Sequence, residues 1–159
     1  MSANLTLKLE SKSPLETINY GKLLAKVLKG GDVVVLGGRL GAGKTTFTKG
    51  ILQGLGSKQR VLSPSFTLIR QYPLRKLAVY HADLYRLSKT SADNLGMDEF
   101  LYSPDSLAII EWGDKIIREL PNYLEVRFSY LADERRKLSI TVKGLGQERI
   151  IKIERIFGE

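Results

Sequence analysis

Eight consecutive residues, Gly38-Arg39-Leu40-Gly41-Ala42-Gly43-Lys44-Thr45, carry the densest chemistry in the chain. Their spacing is G-x-x-x-x-G-K-[ST], a phosphate-binding loop. Glycine reaches backbone dihedrals closed to other residues, so successive N–H groups can turn inward around an anion. The loop opens a helix, whose free N–H groups and positive end face the same point. Such a helix end contributes at most about 2 kcal/mol toward an anion, whereas micromolar affinity requires about 8 kcal/mol. Lys44 therefore has to bring a full charge to the β and γ phosphates and Thr45 a hydroxyl ligand for Mg²⁺. Thr46 is placed for the α phosphate.

A magnesium–nucleotide site also needs a carboxylate at the end of a neighbouring strand. Asp83 closes "LAVYHAD" and Glu111 closes "SLAIIE", and spacing alone does not rank them. His81, the sole histidine, reads either as a packed strand residue or as a proton relay. Trp112 reads as core or as a lid. Ser63, Ser65 and Thr67 around Pro64 in "LSPSFTL" either cap a turn or sense the γ phosphate. No Ser/His/Asp arrangement and no cluster of metal-ligating residues is evident.

These residues need a scaffold. "DVVVL" (32–36) is a continuous β-branched run, the pattern of a strand covered on both faces in a parallel sheet. Phe47, Ile51, Leu52 and Leu55 then recur at helical spacing until Gly56. Upstream, "NLTLKLE" alternates as a strand does, and Ser13-Pro14-Leu15-Glu16 has the spacing of a capping box. That predicts a helix running to about Lys29. Downstream, "FTLIRQY", "KLAVYHAD" and "SLAIIE" read as strands, with short helices in "SADNLGMDEFL" and "DKIIREL". "YLEVRFSYL", "RKLSITV" and "ERIIKIERI" read as antiparallel β structure with turns at Asp133 and Gly144-Leu145-Gly146. The expectation is a single α/β domain over residues 1–159: a three-layer, P-loop NTPase-like fold with a parallel core sheet flanked by helices and extended by antiparallel C-terminal strands.

Composition sets the outer bounds. The 159 residues are 43% hydrophobic and 26% charged, as in ordinary globular domains. No apolar run approaches the roughly 18 residues of a membrane helix, and the start lacks a secretory h-region. With no cysteine, a reducing cytoplasm fits. The net charge of +8 is uneven: residues 39–76 hold eight bases and no acid, whereas residues 83–134 hold eleven acids against five bases. An anionic ligand or partner on the first half follows, tRNA among the candidates, although no basic run interleaved with aromatics suggests single-strand binding.

"GGRLGAGKTTFTKGILQGLG", "VLSPSFTLIRQY", "VYHADLYRL", "GMDEFL" and "AIIEW" stand in the order and spacing of the TsaE family, which this chain resembles from about Ser13 to Arg136. The resemblance implies an ATPase that, with TsaB and TsaD, supports formation of threonylcarbamoyladenosine in tRNA. It further implies that Gly38 and Gly41 to Thr46 wrap the phosphates, that Thr45 and Glu111 hold Mg²⁺, and that Asp83 acts near the γ phosphate or metal. Residues 63–67 (Ser63, Pro64, Ser65, Phe66, Thr67) become a switch-like segment. Arg135 and Thr17 are the candidates beside the base, and His81, Tyr85, Arg86 and Trp112 for a relay or partner contact. Three departures stand out: Arg39 where aspartate is usual, Ser65 where threonine is common, and Gly113-Asp114 where proline-glutamate often follows the tryptophan. The alternatives are a small-molecule kinase, disfavoured because no arginine-dense lid is present, and a nucleotide-dependent scaffold.

Overall fold

The computed structural model describes residues 4–39, 41–64, 68–88 and 96–158. Among them the chain forms β1 (Leu5–Ser11), α1 (Pro14–Ala25), β2 (Val33–Gly37), α2 (Lys44–Gly54), β3 (Ile69–Pro73), β4 (Ala78–Asp83), β5 (Ser106–Glu111), β6 (Tyr123–Ala132), β7 (Arg135–Lys143) and α3 (Gln147–Gly158). Short 3-10 turns occupy Met97–Glu99, Gly113–Lys115 and Ile117–Glu119. One sheet of seven strands results, in the order β1-β7-β6-β2-β5-β4-β3. No helix among the described residues is long and apolar enough to cross a membrane.

β2 is the centre, fully buried and parallel to both β5 and β6. β4 continues the parallel core beyond β5. β7 and β1 add antiparallel strands at one edge and β3 at the other. Thus β6, expected to be antiparallel, is so only toward β7: the crossover through the 3-10 turns brings it beside β2 in the parallel sense. The carboxyl ends of β2, β4 and β5 consequently share one edge, where α/β sheets hold ligands.

Side-chain alternation divides the core between the two sheet faces. Val34, Leu36, Ile109, Val126 and Ile140 pack with Leu24 of α1, Phe47 and Ile51 of α2, and Ile150 and Ile153 of α3. On the other face Val33, Val35, Ala108 and Ile110 are covered by Met97, Phe100, Ile116 and Leu120. The described α-helices all lie on the first face. On the second, the anticipated helical layer is represented, among the described residues, by 3-10 turns.

α1 and α2 meet backbone to backbone. A Cβ on Gly50 would sit 2.1 Å from the Ile18 carbonyl oxygen, and one on Gly21 2.4 Å from that of Phe47. Only glycine permits this approach. At the start of α1, Ser13 Oγ accepts from Glu16 N at 3.1 Å, while Glu16 takes the N–H of Lys12 at 2.6 Å, so the capping box forms with its return bond one residue early.

Two expectations fail for identifiable reasons. α1 ends at Ala25, short of Lys29, because Asp32 accepts from Lys29 N and Arg149 donates to the Val27 carbonyl, drawing this stretch into a turn. Arg149 also grips Asp32 through two bonds of 2.6 and 2.7 Å. "ERIIKIERI" is helical, not a strand. Its β-branched residues suggested alternation, but Ile150, Ile153 and Phe157 fall at helical spacing and face the core, leaving Ile151 outside.

Candidate functional site

The loop between β2 and α2 turns through positive φ at Gly38 (131°), Gly41 (74°) and Gly43 (115°). At Gly38 a side chain is also excluded by space, since a Cβ would lie 2.6 Å from the Phe128 carbonyl oxygen. Gly43 is the N-cap of α2; no side chain caps this end, and its first turn holds no acid. The positive end of α2 is therefore uncompensated by its own residues, as an anion site requires.

Lys44 is 5% exposed. Its Nζ donates to the carbonyls of Gly38 at 2.7 Å and Arg39 at 2.9 Å, and lies 4.5 Å from the centroid of the Trp112 ring. Burial pushes the Lys44 ammonium below the usual lysine range, and the nearby Glu111 and Asp83 carboxylates oppose that push. Position 39 contributes its backbone here, while the Arg39 side chain is exposed. The departure from aspartate thus leaves the lysine contact intact.

Asp83 and Glu111 end adjacent strands in register and are 5% and 3% exposed. Thr45 Oγ1 donates to Glu111 Oε1 at 3.2 Å, and Asp83 Oδ1 accepts from Tyr85 N at 2.9 Å. Geometry thus separates two acids that spacing left unranked: Glu111 is joined to the loop hydroxyl, and Asp83 is anchored by the turn that follows it. Both line a cavity of about 230 Å³ with Gly41, Gly43, Lys44, Thr45, Thr46, Ser63 and Trp112. A larger cleft, about 390 Å³, lies apart from the loop, beside Met97, Tyr102 and Glu119.

The donors around the loop are oxygens, suited to a hard cation such as Mg²⁺. Among the described residues no three His, Cys, Asp or Glu side chains form a closed cage.

Trp112 takes a left-handed backbone (φ 59°), and its ring meets Tyr85 at a centroid distance of 4.8 Å. Tyr85, Trp112 and Lys44 so form one wall. Arg86 is exposed beside it. Gly113 follows under tight packing, since a Cβ would meet Val35 Cγ1 at 2.5 Å, and Asp114 accepts from Arg127 at 2.9 Å. Of the loop read as switch-like, Ser63 lines the cavity and the Pro64 carbonyl accepts from Leu68 N at 2.7 Å. Ser65, Phe66 and Thr67 lie outside the described residues.

His81 is fully buried, and neither ring nitrogen has a hydrogen-bond partner among the described residues. Its Nε2 is 3.7 Å from Glu111 Oε1. Arg70, opposite His81 on β3, has a buried Nε likewise without a partner. Buried polar groups left in that condition cost about 1–3 kcal/mol each and are rare in native structures.

On the other side of the loop a second cavity, about 170 Å³, is lined by Pro14, Thr17, Gly41, Gly43, Thr46, Glu134 and Arg136. Thr17 lines it. Its hydroxyl is engaged with Ser11 Oγ at 2.6 Å and with the Ser13 carbonyl, while its methyl faces Gly43. Arg135, however, lies off this cavity, bound to Glu10 of β1. Arg136 lines the cavity instead, its guanidinium 4.1 Å from the Tyr130 ring centroid. The signal was available: along β7, Arg136 has the parity of Leu138, Ile140 and Val142, the residues that face α1 and α2.

Comparison with known proteins shows the family and the fold. A family model described as "Threonylcarbamoyl adenosine biosynthesis protein TsaE" matches residues 11–138. The tRNA threonylcarbamoyladenosine biosynthesis protein TsaE of Bacillus subtilis is 41% identical over 139 residues, covering 87% of each chain. The protein of the same name from Treponema pallidum is 39% identical over 132 residues, covering 82% of this chain and 96% of its own. The crystal structure of Bacillus subtilis YdiB superimposes with a TM-score of 0.80 at 34% identity, over 98% of this chain and 97% of that one.

Proposed function

The chain belongs to the TsaE family, and on that premise we propose that it is a Mg²⁺-dependent ATPase supporting threonylcarbamoyladenosine formation in tRNA together with TsaB and TsaD. The reading rests above all on one observation: Lys44, Thr45, Asp83 and Glu111 converge on a single cavity at the N-terminus of α2. A cytoplasmic setting accords with a tRNA pathway.

In this reading the N–H groups of residues 41–46 and the Lys44 ammonium bind the phosphate chain. Thr45 and Glu111 hold the metal, which when bound supplies positive charge to the phosphate oxygens. Asp83, steadied by the Tyr85 N–H, orients water near the γ phosphate. Trp112 and Tyr85 exclude solvent from the Lys44 side. The nucleoside extends into the second cavity, between the Thr17 methyl and Arg136, which replaces Arg135 as the arginine of the base side. Among the described residues no group is placed as an evident general base, and on this reading turnover by the isolated chain is slow and rises with its partners.

The test is reconstitution. Threonylcarbamoyl-tRNA should form over many turnovers with TsaB, TsaD and this chain, and fall to about one turnover without it, with free phosphate as the other product. Equal ATP hydrolysis with and without the partners overturns partner activation. Label from the γ phosphate appearing on a metabolite would make the chain a kinase.

A further inference from the structure

His81 is buried to 0% exposure, carries two ring nitrogens without a partner among the described residues, and stands 3.7 Å from the carboxylate that touches Thr45. We infer that His81 is a positioning residue for Glu111: its Nε2–H supplies the second donor to Oε1, so that Thr45 and His81 hold that oxygen from two sides and the other oxygen is presented to the cavity. The inference rests on the magnesium–nucleotide reading above and deepens it.

Three features carry it. The same oxygen, Oε1, lies 3.2 Å from Thr45 Oγ1 and 3.7 Å from His81 Nε2. A shift of about half an ångström brings the imidazole into hydrogen-bond range. Next, the acceptor sets the hydrogen's place on the ring. A carboxylate oxygen accepts, so the imidazole hydrogen that serves it is the one on Nε2, and Nδ1 is left as the acceptor. Arg70, opposite His81 in the register of β3 and β4, offers donors only. Finally, full burial on the face shared with α2 leaves the imidazole no solvent to satisfy it. Orienting partners of this kind typically change metal affinity or activity by about 10–100-fold when removed.

Because His81 is the only histidine, its ring nitrogens can be followed directly by ¹⁵N NMR of histidine-labelled protein. The expected spectrum shows the Nε2–H tautomer, with its Nε2–H signal moving downfield and exchanging more slowly on addition of Mg²⁺ and a non-hydrolysable ATP analogue. A second measurement is the Mg²⁺ concentration that half-saturates nucleotide binding. His81→Leu should raise it about tenfold or more while leaving the metal-free nucleotide affinity unchanged, and His81→Gln, which keeps an N–H near the position of Nε2, should restore most of it. An Nδ1–H tautomer, a histidine spectrum unmoved by Mg²⁺–nucleotide, or equal losses with and without Mg²⁺ in both variants would overturn the inference. Failure of the wild-type chain to bind any Mg²⁺–nucleotide would overturn the ATPase reading and this inference together; binding with an unmoved histidine overturns this inference alone.

Discussion

The two cavities beside the loop share Gly41, Gly43 and Thr46 yet are built on opposite plans. The first draws on strand ends and a helix start, all at the carboxyl edge of the parallel strands, and its Lys44, Asp83 and Glu111 are at most 5% exposed. The second joins α1 to the β6–β7 hairpin, and its one arginine is held by stacking on Tyr130 and by the Asp133 and Arg135 carbonyls. The first is a charge device in which each group has one usable position. The second is a fit between distant segments, where a neighbouring residue of the same type can stand in the wrong place. Both cavities join segments far apart in sequence, but the first is fixed by strand ends in register and the second by the facing of a hairpin.

That contrast can be broken by measurement. The largest effect belongs to Lys44→Ala, which should weaken nucleotide binding about a hundredfold or more by calorimetry, at 1.4 kcal/mol per tenfold; unchanged affinity would remove the charge device altogether. Glu111→Ala should lower Mg²⁺-dependent phosphate release by about a hundredfold with a smaller loss of binding. If Asp83→Ala alone did this, the two acids would exchange roles.

Arg136→Ala should weaken ATP binding about tenfold, the loss of a cation stacked at the base side, without changing the affinity for inorganic triphosphate. A parallel loss for triphosphate would merge the two cavities into one. A smaller effect comes from pH. Burial holds Lys44 below the usual lysine range, so its charge is lost as pH rises through that lowered value. Nucleotide affinity should fall severalfold before pH reaches about 10.4, the ordinary lysine value, and Lys44→Arg should stay flat there. Arg135→Ala, which breaks only a half-exposed pair with Glu10, should change ATP affinity less than about twofold.

The same contrast explains what could be read from residues alone. The unit β2, loop and α2 was legible because continuous apolar runs, glycine spacing and helical periodicity agreed over one short stretch. Asp83 and Glu111 were legible as strand-end acids, but their ranking needed the 3.2 Å contact to Thr45, which links residues 66 apart. α3 was misread because Ile150, Ile151 and Ile153 serve either periodicity until the core selects one face. The ending of α1 depended on Arg149, over a hundred residues away. That Arg136 and not Arg135 lines the second cavity is a single parity step, which strand alternation could have resolved.

The glycine contact between α1 and α2 sets the distance between the two cavities with main chain alone. Gly21 and Gly50 leave no side chain there to lengthen or shorten. The helices therefore act as a fixed ruler: if nucleotide binds as proposed, the span from phosphate grip to base side is one length that trimming or swelling the core does not change. On the proposed reading, new specificity would be written at the base end of the ruler, at Thr17 and Arg136.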